Sequence, residues 1–221
     1  MLPMIKYTDY KIANTQNIKS FKDALLEPLS RIRNNNFIYV LLFIFFYKSL
    51  SSINNRMLEL FLIDNGFTIQ DIALGYKLIG SIVGVLLCAI MPFLTQRIDV
   101  KKILLFLFIM HCFSFAILCQ IVFYNHSYLL FYCSIIYENI IVSSMMAAFF
   151  VLINKISYQN NRDIILYCFL WSVFQLSSIF FGSIAGVLAD GFGWVGFFNI
   201  LIGSSIFVFI ILFIFARKIK I

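Results

Sequence analysis

Lys48, Lys77 and Glu138 each stand inside a long apolar run of this 221-residue chain, widely separated in sequence. A charge near a bilayer centre costs roughly 2.5 to 3.5 kcal/mol to insert, so each of the three needs a partner or a polar cavity. Two cations and a carboxylate have a definable chemistry: the lysines hold an anion while the carboxylate takes up and releases a proton. The alternative is a static ion network that fixes helix register. Arg56 and Glu59 share the run that holds Lys48 and lie three residues apart. That spacing gives a local pair near an interface, where long side chains snorkel, although an outer gate would also place Arg56 there.

The elements that must position these groups follow from hydropathy. The chain is 62% hydrophobic, with mean hydropathy +0.95 and 27 Phe, more apolar surface than one soluble core of this size buries. It reads as an all-α membrane protein. Six runs reach the ~20 residues that cross a bilayer: 37–63, 69–93, 103–123, 128–154, 164–189 and 194–215. The expected organisation is a polar cytoplasmic segment, 1–36, a six-helix transmembrane bundle, 37–215, and a basic tail, 216–221. Within the first segment Phe21, Leu25, Leu29 and Ile32 recur at helical spacing, giving either a short amphipathic surface helix or a solvated linker.

Charge placement supplies the topology. Residues 64–68, 124–127 and 190–193 carry no Lys or Arg, whereas Arg97, Lys101, Lys102, Lys155, Arg162, Arg217, Lys218 and Lys220 fall on the same side as the six basic residues of 1–36. By the positive-inside rule that side, with both termini, is cytoplasmic. Residues 1–36 hold no apolar stretch of signal-peptide length, so cleavage and export are not expected. The net charge of +7 is therefore a topology signal, and no basic cluster interleaved with exposed aromatics suggests nucleic acid. Cys88, Cys112, Cys119, Cys133 and Cys168 lie in apolar runs without metal-ligand spacing. No cofactor or metal is expected, and no GxSxG, HExxH or P-loop signature marks an enzyme. His111 and His126 have no partner at useful spacing and are expected as satisfied or solvated side chains.

On a ~100° helical wheel Lys48, Ser52, Asn55 and Glu59 form one stripe of the first run. In the second, Ala73, Lys77, Gly80, Ser81, Gly84 and Cys88 share a face of small residues, which turns Lys77 toward protein. The fifth repeats the pattern with Cys168, Trp171, Ser172, Gln175, Ser178, Gly182 and Gly186. Counting ~1.5 Å per residue from the middle of each run puts Lys48, Lys77 and Glu138 within roughly 3 to 6 Å of the midplane, with Arg56 at about 9 Å. The three therefore share a level. The third and sixth runs lack Asp, Glu, Lys and Arg, and only His111 and Gln120 interrupt the third. Two triplets, each with an oily peripheral third member, are what a 3+3 inverted repeat predicts. Between the fifth and sixth runs, Gly182 and Gly186 allow close approach, Asp190 can cap the turn, and Gly191 and Gly193 supply the corner.

Several stretches resemble AmpG-type muropeptide permeases of the major facilitator superfamily. FYCSIIYENIIVSSMMAAFFVLINKIS, with Glu138 and Asn139 followed by small residues, is similar to their tenth span. PLSRIRNNNFIYVLLFIFFYK resembles their central cytoplasmic loop running into the seventh span, with Tyr47 and Lys48 on the family's YK. GFTIQDIALGYKLIG, carrying Lys77 and Gly80, resembles the start of the eighth, and GSIAGVLADGFGW matches the later corner. LTQRIDVKK keeps basic residues but lacks the acidic residue usual in that loop. The resemblance covers about Glu27 onward and implies one half of such a carrier: a bacterial inner-membrane, proton-driven importer of anionic cell-wall glycopeptides. Lys48 and Lys77 would face substrate anions, Glu138 would couple protons, and Gln175 would offer polar contact. The implied partners are the lipid bilayer, a small anionic substrate, and a second six-helix half or a second copy. A non-transporting remnant or membrane interaction protein is the alternative.

Overall fold

The computed structural model describes residues 35–124, 127–159 and 164–219. The amphipathic stretch at 20–33, His126, Arg162 and Lys220 lie outside the described residues. Helix α1 (Asn35–Tyr47) continues into α2 (Ser49–Asp64) through a local break at Lys48. Ser49 Oγ donates to the Phe46 carbonyl at 2.7 Å and Ser52 Oγ to that of Lys48 at 2.8 Å. Such back-bonding by hydroxyls bends helices, and here it falls on the turn that carries the lysine.

A capping box starts the next span: the Thr68 hydroxyl accepts from the Asp71 N–H, and the Asp71 carboxylate accepts from the Thr68 N–H. Helix α3 (Ile69–Ile72) passes into a π-helical segment, Ala73–Ile79, and then into α4 (Gly80–Arg97). Asp99 caps α5 (Val100–Phe123) by accepting from the Lys101 N–H, and α6 (Tyr128–Gln159) and α7 (Ile164–Lys218) complete the described chain. Five helices are long and apolar enough to cross a membrane, and no strand occurs among the described residues. The chain is a multi-pass, all-helical membrane protein.

Helix α7 runs for 55 residues, which would be ~80 Å if straight, against a hydrocarbon core of ~30 Å. It is not straight, because Gly193 adopts φ 64°, ψ 176°. Phe169 stacks on Phe37 at 6.5 Å and Phe215 lies 5.9 Å from Tyr39, so both limbs reach the same end of α1. Next to the break, Trp194 Nε1 donates to Asp64 at 3.1 Å, at the far end of α2. The two limbs form a hairpin folded on α1 and α2, and Phe61 against Phe198 at 4.8 Å helps clasp it.

Burial departs from the expected triplets. The third run is not an oily periphery: α5 lies against both α6 and α7, and it buries His111 and Ser114. Least covered is the Ile69–Arg97 span, only 11% buried against 56% for the first and fourth. Its Leu78, Ile82, Val85 and Leu86 are exposed, as lipid-facing side chains of a span would be.

Candidate functional site

Glu138 lies at the meeting of three spans. Helix α6 carries it into a pocket where it is 1% exposed. From α2, Asn54 Nδ2 donates to its Oε1 at 2.8 Å, and from α5, His111 Nε2 lies 3.3 Å from the same oxygen. His111 and Asn54 are fully buried, and the imidazole meets the Phe115 ring edge-on at 4.6 Å. Ser114 borders the carboxylate while its hydroxyl donates to the His111 carbonyl at 2.7 Å. The Tyr137 hydroxyl donates to the Met110 carbonyl at 3.0 Å, which ties α6 to α5 beside the pair.

This corrects the expectation for His111, which has a partner after all, 27 residues away on the neighbouring helix. Glu138 Oε2 and His111 Nδ1 have no hydrogen-bond partner among the described residues. An imidazole nitrogen and a carboxylate oxygen at this separation can share one proton. The chemistry available here is proton capture and release inside the bundle.

Lys48, half-buried at the α1–α2 break, lies within electrostatic reach of Glu138 without a direct ion pair. Its ammonium stands 5.2 Å from the centroid of the Phe174 ring, a cation–π distance. Beside it is a recess of about 10 Å³, lined by Tyr47, Ser51, Met145 and Met146, with room for about one water.

Lys77 is arranged differently from the expectation. It pairs with Glu59 at 3.5 Å, and both side chains are largely exposed, 66% and 52%. The π-helical segment explains the difference, because i→i+5 bonding takes up an extra residue and rotates Lys77 relative to the glycines that follow. Those glycines do face protein: a Cβ at Gly80 would fall 2.7 Å from Asn139 Cγ, and one at Gly84 would fall 3.3 Å from Ser143 Oγ. Asn139 lies in that space and donates to the Ile135 carbonyl at 2.9 Å.

Since Lys77 occupies Glu59, Arg56 lies elsewhere, over Gly182, where an added Cβ would come 3.0 Å from Arg56 Cγ. Gly186 faces Met57 at 3.9 Å by the same measure. Asn55 is half-buried, with its Oδ1 unpartnered among the described residues. Gln175 and Ser172 are exposed, and Ser177, off the expected stripe, is the hydroxyl that is buried and bonded to the Phe45 carbonyl. Asp190 is exposed and its side chain caps no described group; Asp64 holds the corner through Trp194 instead. The polar residues thus divide into a closed centre around Glu138 and an open wall of Arg56, Glu59, Lys77 and Gln175.

These features define a multi-pass membrane protein with a buried carboxylate–imidazole pair. The chain matches no protein-family model. It is similar to a protein of Rickettsia felis, provisionally named transporter AmpG 2, at 28% identity over 172 residues, 76% of this chain and 41% of that protein. Proteins of the same name from Rickettsia typhi and Rickettsia prowazekii are 26% and 27% identical over 201 residues, 88% of this chain and 46% of theirs. The chain spans less than half the length of these relatives. It is a distant relative of AmpG-type transporters, over a length consistent with their C-terminal half.

Proposed function

We propose that the chain is one half of a proton-coupled secondary transporter of the major facilitator kind. Six crossings in two inverted triplets are part of that reading, and the reversal at Gly193, which divides α7 into two membrane-length limbs, supports the count of six. The observation that carries the proposal is Glu138, a carboxylate buried among three spans with Asn54 and His111 at one oxygen. Intramembrane ionisable groups mark ion and proton pathways. Lys48, within reach of that carboxylate, the wall residues Arg56, Lys77 and Gln175, and the half-buried Asn55 and Asn139 form the substrate and proton pathway.

The resemblance to AmpG-type permeases supports an anionic cell-wall glycopeptide as substrate and the bacterial inner membrane as location, with both termini cytoplasmic. A second six-helix half, or a second copy, closes the cavity. In vesicles holding this chain with a co-expressed N-terminal half, labelled anhydro-muropeptide accumulates under an inward proton gradient. Glu138→Gln abolishes that accumulation but leaves substrate exchange. Accumulation by the Gln variant at the parental rate would refute Glu138 as the coupling group. Absence of uptake with any co-expressed half would refute the transporter reading.

A further inference from the structure

We propose that the groove between α5 and the limb of α7 after Gly193 binds one anionic phospholipid. The groove encloses about 350 Å³ and is lined by Ile109, Phe113 and Ala116 on one side and by Ile202, Ile206 and Phe209 on the other. Its two polar lining groups are satisfied internally: Cys112 Sγ donates to the Phe108 carbonyl at 3.1 Å and Ser205 Oγ to that of Ile202 at 2.6 Å. Only hydrocarbon contact is left to offer, and Phe113 and Ile206 are 56% and 65% exposed. In a span such a surface faces lipid tails.

Charge at one end decides which lipid. On α5 the lining stripe continues at helical spacing through Phe106 to Lys102, and on α7 through Phe213 to Arg217. These ends adjoin, because Lys101 Nζ donates to the Ile219 carbonyl at 3.0 Å. Phe209 stacks on Phe213 at 6.3 Å, and the Arg217 guanidinium carbon stands 4.3 Å from the Phe213 ring. The cation is thereby held along the line of the groove. Lys102 and Arg217 are both exposed, and the acid at this end, Asp99, pairs with Lys101 at 3.9 Å. At ~1.5 Å per residue each cation lies roughly 16 to 17 Å from the groove's middle, within the reach of one acyl chain below its phosphate. One chain in the groove and one phosphate between Lys102 and Arg217 satisfy both features.

Native mass spectrometry of the purified chain in a non-ionic detergent, with phosphatidylglycerol and phosphatidylcholine of identical acyl chains, tests the site. One phosphatidylglycerol is expected to remain bound in preference to phosphatidylcholine. Lys102→Gln with Arg217→Gln, both at exposed positions, should lower its affinity about 30-fold, the ratio for two basic contacts of ~1 kcal/mol each. Ile206→Trp, which fills the groove from an exposed position, should weaken both lipids. Equal retention of the two lipids by the parent, or a preference that survives the double charge variant, would overturn the proposal. So would unchanged binding by Ile206→Trp, or a lipid-free dimer as the main species, which would put a second copy in the groove.

Discussion

Replacing His111 with Ala leaves Glu138, 1% exposed, with Asn54 as its donor and loses the imidazole contact at 3.3 Å. Breaking one side of a buried pair typically costs 3 to 5 kcal/mol, because the remaining charge is left uncompensated. We expect His111→Ala to destabilise the chain by about 3 kcal/mol. Glu138→Gln, which keeps an acceptor for Asn54, should cost less. Combined with His111→Ala it should recover more than ~1 kcal/mol of the single loss. Thermal unfolding of the four proteins in one detergent measures this, and additive losses would mean the two groups are not coupled. Glu138 was legible in the sequence because a carboxylate in an apolar run is costly. Asn54 was less so: the depth count that put Lys48 level with Glu138 puts Asn54 there too, but the wheel set it off the chosen stripe. His111 was missed because its partner lies on a neighbouring helix, and spacing within one helix carries no information about that.

At the scale of elements, the corner and the spans could be read directly while the rotation of one span could not. Gly193 is required for its backbone: at φ 64° a Cβ meets no neighbour within 4 Å, so only the left-handed conformation opposes a side chain. Gly193→Ala should therefore cost about 1 to 3 kcal/mol. Gly191→Ala, helical and equally unobstructed, should be neutral or stabilising by up to ~1 kcal/mol. Melting temperatures that fall equally in both variants would contradict this division. Gly80 differs from both, since a Cβ there runs into the Asn139 amide. Gly80→Ala should cost roughly 1 to 3 kcal/mol by overpacking, and Asn139→Ala should relieve it in the double variant. The wheel that grouped Lys77 with Gly80 assumed 3.6 residues per turn throughout. Residues 73–79 do not keep that period, and a π-helical stretch has no simple signature in hydropathy.

The molecule as a whole exposes charges where lipid would not tolerate them. Arg56, Glu59 and Lys77 are all exposed within membrane-length helices, and an exposed ion pair such as Lys77–Glu59 gains little by itself, about 0 to 1 kcal/mol. Against an insertion cost of roughly 2.5 to 3.5 kcal/mol per charge, that face must border water or protein. Leu86 and Val85 on the same span are apolar and exposed, at 58% and 72%, and suit lipid. The two surfaces can be separated in the membrane. With the five native cysteines replaced, Lys77→Cys and Gln175→Cys should react with a membrane-impermeant maleimide in intact vesicles of one orientation. Val85→Cys and Leu86→Cys should not react. If a second half or a second copy forms a water-filled cavity with this wall, co-expression should leave Lys77→Cys reactive while saturating substrate protects it at least ~10-fold. Equal reactivity at all four positions would mean the wall is not organised as a cavity face. No reaction at Lys77→Cys in the co-expressed pair would place dry protein against it, and the substrate pathway would then have to run along Lys48 and Glu138 alone.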